Sequence, residues 1–246
     1  MKVKDHYNGD YARSLADQIK TAYQGFNETQ FVNYAVKHIA GKEFSQRMDI
    51  FADALELCLP NSYEQNIQIF ESILGEELQR ETGMFSEGWR LWPIGRYVER
   101  HGVENIRVSL NFIKELTKRF TGEFAIRPLL AHKPKETIAA MIEWSKDENV
   151  HIRRLASEGV RISLPWSKKL YVAIEEFESY KTILTNLKND ESKFVQKSVG
   201  NNLNDLYKAY PEKAKAIINE WNGNNPTKAT LWIINHGLRS SAKSKK

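Results

Sequence analysis

The chain has 246 residues, 41% of them hydrophobic and 27% charged, a balance that excludes extensive disorder outside the termini and leaves room for a substantial core. No stretch approaches the ~20 apolar residues that cross a bilayer, and the opening "MKVKDHYNGDYARSLADQ" has no apolar run behind its basic residues, so a cytoplasmic location is expected and a membrane partner is not. The single cysteine excludes an intrachain disulfide, and the net charge of +5 resides in residues 111–170, where 12 Lys or Arg meet 7 Asp or Glu, a local surplus suited to a polyanion such as nucleic acid.

In chain order, apolar residues at three- and four-residue spacing predict helices in "YARSLADQIKTAY" and "TQFVNYAVKHI", with Gly25 and Gly41 placed as C-terminal caps. In "DALELCLP" Cys58 shares helical spacing with Leu55 and Leu59, which reads as a small core residue, because nothing beside it would lower its pKa for nucleophilic work. Helical periodicity returns in "YEQNIQIFESIL" and "IRVSLNFIKELTKRF", with Gly102 between them, then in "KETIAAMIEWS", "VHIRRLASEGV" and "KAKAIINEW". Pro134, Pro211 and Pro226 each sit where proline fits the first turn of a helix, and Gly223 follows a periodic segment. Strand alternation is almost absent and no low-complexity linker interrupts the chain. The expectation is therefore one all-α domain over residues 1–246, with a frayed basic tail at about 239–246.

The later helices repeat. "DENVHIRRLASEGV" begins at Asp147 and "DESKFVQKSVGNNL" at Asp190, 43 residues on, and in register Ile152 falls on Val195, Arg154 on Lys197, Ala156 on Val199, Gly159 on Asn202 and Val160 on Leu203. That period predicts a right-handed α-solenoid of HEAT-like helical repeats, whose units run about 40 to 47 residues. A shift of 35 lays Glu123 of "FTGEFAIRP" on Glu158, so Glu123, Glu158 and Asn201 are expected at equivalent inward positions.

At 100° per residue Arg154, Glu158 and Arg161 fall within about 60° of one another, opposite Ile152, Leu155, Ala156, Gly159 and Val160. The plain reading is a solvated ion pair contributing about 0.2 to 0.5 kcal/mol, although arginine before glutamate is the less favourable order. The other reading is a carboxylate held in a cationic groove. Trp166, after the rigid Pro165, reads by itself as a core plug, and Glu123 with Arg127 four residues on reads as an ordinary helical pair. Metal chemistry is not expected, since the six histidines (His6, His38, His101, His132, His151 and His236) show no ligand spacing. No phosphate-binding glycine loop or serine-nucleophile elbow occurs, and no cofactor is expected.

"WPIGRYVERHG", "LTKRFTGEFAIRPLL", "HIRRLASEGVRISLPW" and "VGNNLND", in this order from Trp92 to Asp205, resemble the signature blocks of the AlkC family of DNA alkylation repair glycosylases, relatives of AlkD. The resemblance implies a HEAT-like solenoid that binds alkylated double-stranded DNA, and a monomer is expected. It implies hydrolysis of the N-glycosidic bond of cationic alkylated bases, principally N3-methyladenine, with water as nucleophile, no metal and no full base flipping. Glu123, Glu158 and Asp205 match the family's acidic catalytic positions, and Arg154, Arg161, Trp166, Arg127, Asn201 and Asn202 its DNA-facing surface. Some members carry a further immunoglobulin-like domain, for which "LWIINHGLRSSAKSKK" is expected to leave no room. The competing expectations are a non-catalytic HEAT scaffold for nucleic acid or protein and a binder of branched DNA, because this fold hosts many functions.

Overall fold

The computed structural model describes residues 2–81, 86–223 and 225–240, and among them every regular element is helical. The chain divides into two compact units, Met1–Pro128 and Leu129–Lys246.

The first unit holds α1 (Gly9–Ala22), α2 (Glu28–Ile39), α3 (Phe44–Cys58), α4 (Tyr63–Ser72), α5 (Trp92–His101) and α6 (Ile106–Thr117), and the start of α7 (Ile126–His132). Its centre is aromatic, with Tyr7, Phe26, Phe31, Phe51, Phe70 and Phe112 fully buried. The buried tyrosines keep their polar ends satisfied: Tyr7 Oη donates to the Trp89 carbonyl and Tyr11 Oη to the Arg90 carbonyl, each at 2.7 Å. Gly88, at φ 72°, permits this close entry into α5, since a Cβ there would lie 2.1 Å from the Arg119 carbonyl oxygen. Cys58 is buried at the end of α3, and burial pushes its thiol up to about 11, so it is a packing residue.

The second unit continues with α8 (Pro134–Trp144), α9 (Val150–Glu158), α10 (Val172–Glu175), α11 (Phe177–Leu187), α12 (Lys193–Ala209), α13 (Pro211–Gly223) and α14 (Lys228–Gly237). The 43-residue repeat is visible in its local chemistry. Asp147 accepts the Asn149 backbone N–H and Asp190 that of Ser192, so each repeat opens on the same turn. Asn149 and Ser192 then cap α9 and α12, each accepting two backbone N–H groups of the first turn, a device that contributes about 1 kcal/mol per helix. Arg153 joins the two repeats directly, Nε to Asp190 Oδ2 at 2.7 Å. Pro134 and Pro211 open their helices as expected, whereas α14 begins at Lys228 with Thr227 as its cap, leaving Pro226 just outside. Arg239 and Ser240 complete a 3-10 turn, Leu238–Ser240, after α14; the remainder of the expected basic tail, 241–246, lies outside the described residues.

α12 is the central element of this unit, packing on α9, α13 and α14 around Val195, Val199, Leu203 and Leu206. Its approach to α14 depends on two glycines. A Cβ on Gly200 would lie 2.8 Å from His236 Cδ2, and one on Gly237 would lie 2.7 Å from Leu203 Cβ. In an open helix glycine to alanine stabilises by about 1 kcal/mol. Here the clash reverses the sign: Gly200→Ala is expected to destabilise by about 1 to 3 kcal/mol, read as a lowered Tm in thermal denaturation, and an unchanged or raised Tm would refute the close packing.

Candidate functional site

In the first unit Glu123 lies in the tight connection between α6 and α7, only 2% exposed. The Thr121 hydroxyl accepts the Glu123 backbone N–H at 3.3 Å and donates to its carboxylate at 3.2 Å, so one side chain fixes both the loop and the acid. Aromatic rings back this loop: Trp92 stacks on Phe124 with centroids 5.5 Å apart, and Phe120 and Phe44 pack on Trp92. Arg127, expected to pair with Glu123 along one helix, lies inside α7 while Glu123 precedes it. Arg127 is buried, and its charge acts on Glu99, whose carboxyl burial pushes up while Arg96, ion-paired to it at 2.7 Å, pulls it down.

In the second unit the face proposed from helical spacing is built differently. α9 ends at Glu158, and Arg161 follows a turn through Gly159 and Val160, its N–H reaching the Glu158 carbonyl at 3.3 Å. The guanidinium therefore folds back onto the helix end rather than lying along a shared stripe. Arg161 donates from Nη1 to Glu158 Oε1 at 2.7 Å, from Nε to Asp205 Oδ2 at 3.0 Å and from Nη2 to the Ser163 carbonyl at 3.3 Å. Arg154 lies 3.6 Å from the same Glu158 oxygen and over the Phe194 ring. The second oxygen, Oε2, accepts from Ser198 at 2.6 Å, and Ser157 in turn donates to Ser198 at 2.7 Å.

This is no solvated pair, since Glu158 is 5% exposed and Arg161 8%. Burial pushes the Glu158 carboxyl up, but Arg154 and Arg161, with hydrogen bonds from Ser198 and Arg161, outweigh it and hold the group below the usual carboxylate range. Glu158 is a fixed anion at neutral pH. The fully buried Tyr180 feels both Asp205 and Arg161, and burial raises its phenol well above the usual range, so it stays neutral.

The second unit thus brings together Arg154, Glu158, Arg161 and Asp205. Asn202 is fully buried, its amide donating to the Ser157 and Ser198 carbonyls, whereas Asn201 sits one residue earlier on the outer side and bonds His236 and Arg239. Trp166 is no core plug: it is 70% exposed. Ser167 N–H closes a turn on the Leu164 carbonyl with Pro165 second and Trp166 third, at φ 61°. Glycine or asparagine normally takes that position, and a bulky side chain there costs about 1 to 3 kcal/mol. Sequence reasoning passed over Thr121, Ser157, Ser198 and Tyr180, for which spacing carries no signal.

Two measurements test this geometry. A depressed carboxyl contributes stability that is complete above its unfolded value of about 4.3 and is lost as pH falls through the folded value. The wild-type Tm should therefore drop on acidification below about pH 4.3, and Glu158→Gln, while costing about 3 to 5 kcal/mol at neutral pH, should flatten that limb; equal limbs would refute the ionised cluster. Trp166→Gly, which removes left-handed strain of about 1 to 2 kcal/mol, should leave Tm unchanged or higher.

A family model described as DNA alkylation repair enzyme matches residues 121–239. "Uncharacterized protein YhaZ" of Bacillus subtilis (strain 168) is 31% identical over 242 residues, covering 98% of this chain and 65% of that protein. The structure of Pseudomonas fluorescens alkylpurine DNA glycosylase AlkC, bound to DNA containing an abasic site analogue, is similar at a TM-score of 0.86 and 33% identity, over 99% of this chain and 65% of that one. The chain thus spans 65% of the length of the relatives it matches. At that identity the likeness extends to the fold class, all-α with HEAT-like helical repeats, and among the described residues no His, Cys, Asp and Glu side chains cluster as a metal site would require. The signature blocks, the repeat and these likenesses point the same way: residues 121–239 are similar to the DNA alkylation repair enzyme family, and the chain over nearly all its length is similar to AlkC.

Proposed function

We propose that the protein is an alkylpurine DNA glycosylase that excises cationic alkylated bases, principally N3-methyladenine, from double-stranded DNA and acts as a monomer in the cytoplasm. The observation that carries the reading is Glu158: a buried carboxylate held ionised by arginine and serine, in a chain similar to a glycosylase determined with DNA.

The chemistry suits such a group. A base already positively charged leaves with the electrons of the C1′–N bond as a neutral molecule, so no strong general acid is required. What needs stabilising is the cationic, oxocarbenium-like sugar left behind. An anion fixed in a dry site does so without reorganising. Glu158, with its pKa lowered rather than raised, is suited to that electrostatic role and unsuited to donate a proton. Glu123, immobilised by Thr121, is the candidate to orient the attacking water and take its proton. Asp205 and Arg161 hold Glu158 in place, and the exposed Trp166 supplies an aromatic face for a cationic lesion or sugar. Arg154 is the cluster's candidate phosphate ligand, while the buried Arg127, Arg161 and Asn202 act as positioning residues.

A second reading, a non-catalytic HEAT scaffold, draws on the saturation of Glu158, whose two oxygens are both engaged within the protein. Incubation with methylated duplex DNA separates the two. Free 3-methyladenine should appear with wild type, and Glu123→Gln, Glu158→Gln and Trp166→Gly should each lower the rate at least tenfold. No release above background, or full activity in both glutamine variants, removes the glycosylase mechanism and leaves the scaffold.

A further inference from the structure

Several lysines and arginines bordering the second unit's helices are ion-paired: Arg153 with Asp190, Lys181 with Glu220 and Lys215 with Glu212. One strip instead lines up cations with oriented donors and aromatic rings. Lys193, Lys197 and Asn201 recur every fourth residue on the outer side of α12, and α14 presents Trp232 and His236 beside them, with Arg239 just beyond. No acidic side chain pairs with Lys193, Lys197 or Arg239 among the described residues. Lys193 bonds only Gln196 and stands 4.5 Å over the Trp232 ring. Asp205, whose charge reaches Arg239, is already bound to Arg161.

The strip is also rigid. Trp232 and His236 stack with centroids 5.0 Å apart at 8°, and Gly200 seats the imidazole against α12. His236 Nε2 lies 3.1 Å and Arg239 Nη2 2.9 Å from the same Asn201 Oδ1. Burial and the charges of Arg239 and Lys197 lower the His236 pKa, so at neutral pH the ring is uncharged and donates through Nε2. Two donors converging on the carbonyl oxygen turn the Asn201 amide nitrogen outward. Its two N–H groups bond no other group among the described residues, an oriented donor pair between two cations.

We propose that Lys197, Asn201 and Arg239, continued by Lys193 on its Trp232 ledge, form a phosphodiester clamp that grips the DNA backbone beside the carboxylate cluster. Lys193 to Asn201 spans about 12 Å of helix, and one strand of duplex DNA presents a phosphate about every 3.4 Å of its axis, so the strip is long enough for about three phosphates. The clamp rests on the DNA reading of the neighbouring cluster and deepens it, naming contacts that set affinity and register without reading sequence.

The test is equilibrium binding of the full chain to a fluorescent, undamaged duplex across a salt series. Lys197→Ala and Arg239→Ala should each weaken binding and reduce the slope of log K against log salt by about 0.9, and their double variant by about twice that. Asn201→Asp keeps the acceptor for His236 and Arg239 but replaces the outward donors, and should weaken binding more than Asn201→Ala. Lys213→Ala, which removes the same charge from α13 beside Phe177, should leave the slope unchanged. Wild-type slopes in the clamp variants, an equal fall with Lys213→Ala, or no binding of duplex by wild type would each overturn the clamp. Reduced slopes in a protein that releases no base would uphold the clamp while removing the glycosylase reading.

Discussion

A single guanidinium shared by two carboxylates organises the second unit. Taking Glu158 out of water costs several kcal/mol, and Arg161, Arg154 and Ser198 recover that cost only if all three stand within reach of its two oxygens. The requirement specifies backbone as well as side chains. α9 must end at Glu158 so that the following turn can bring Arg161 back. α12 must present Ser198, Asn202 and Asp205, at i, i+4 and i+7, on the one side that meets α9. The caps, the Arg153–Asp190 link and the Gly200 contact are the devices that hold that register.

The sign of the Glu158 shift bears on chemistry. An acid catalyst for a neutral leaving group needs a carboxyl held protonated near neutral pH, which requires burial to win over neighbouring charge. Here burial loses to two arginines. The outcome is an anion that cannot relax, matched to a reaction in which positive charge passes from base to sugar. A lesion that carries its own charge removes the need for the acid, so the electrostatics of the cluster and the proposed class of substrate are consistent with each other. The left-handed backbone at Trp166 fits that account: the turn places a large aromatic surface in solvent at a cost in strain, which packing of the protein alone does not explain.

Much of the fold was legible because its signals are local. Periodicity located most helices, Pro134 and Pro211 opened theirs, and the 43-residue register of Asp147 on Asp190 reappears as two identical turns joined by Arg153. The cluster was legible in composition but not in geometry. Treating Arg154, Glu158 and Arg161 as one helical stripe failed because Gly159 ends α9, and a wheel has no means of showing a side chain returning from a turn. Ser198 was invisible because a helical serine is unremarkable until its neighbour across the interface is known. Trp166 was misread as a core plug by its hydrophobicity, although the proline before it marked a turn, where exposure is the rule.

Charge shows most plainly how sequence and surface diverge. The cationic surplus over residues 111–170 pointed to a polyanion, yet the arginines and lysines of that stretch are largely spent inside the protein. Lys118 and Arg119 pair with Glu115, Arg153 reaches outside the window to Asp190, and Arg161 reaches Asp205. A window count misses the last two pairs because their acids come from elsewhere in the chain. Lys193, Lys197 and Arg239, which are among the cations left without acidic partners, lie beyond the surplus. What a polyanion meets is the charge remaining after folding has matched every pair it can, and in the second unit part of that remainder falls on the outer edge of α12, beside the buried anion.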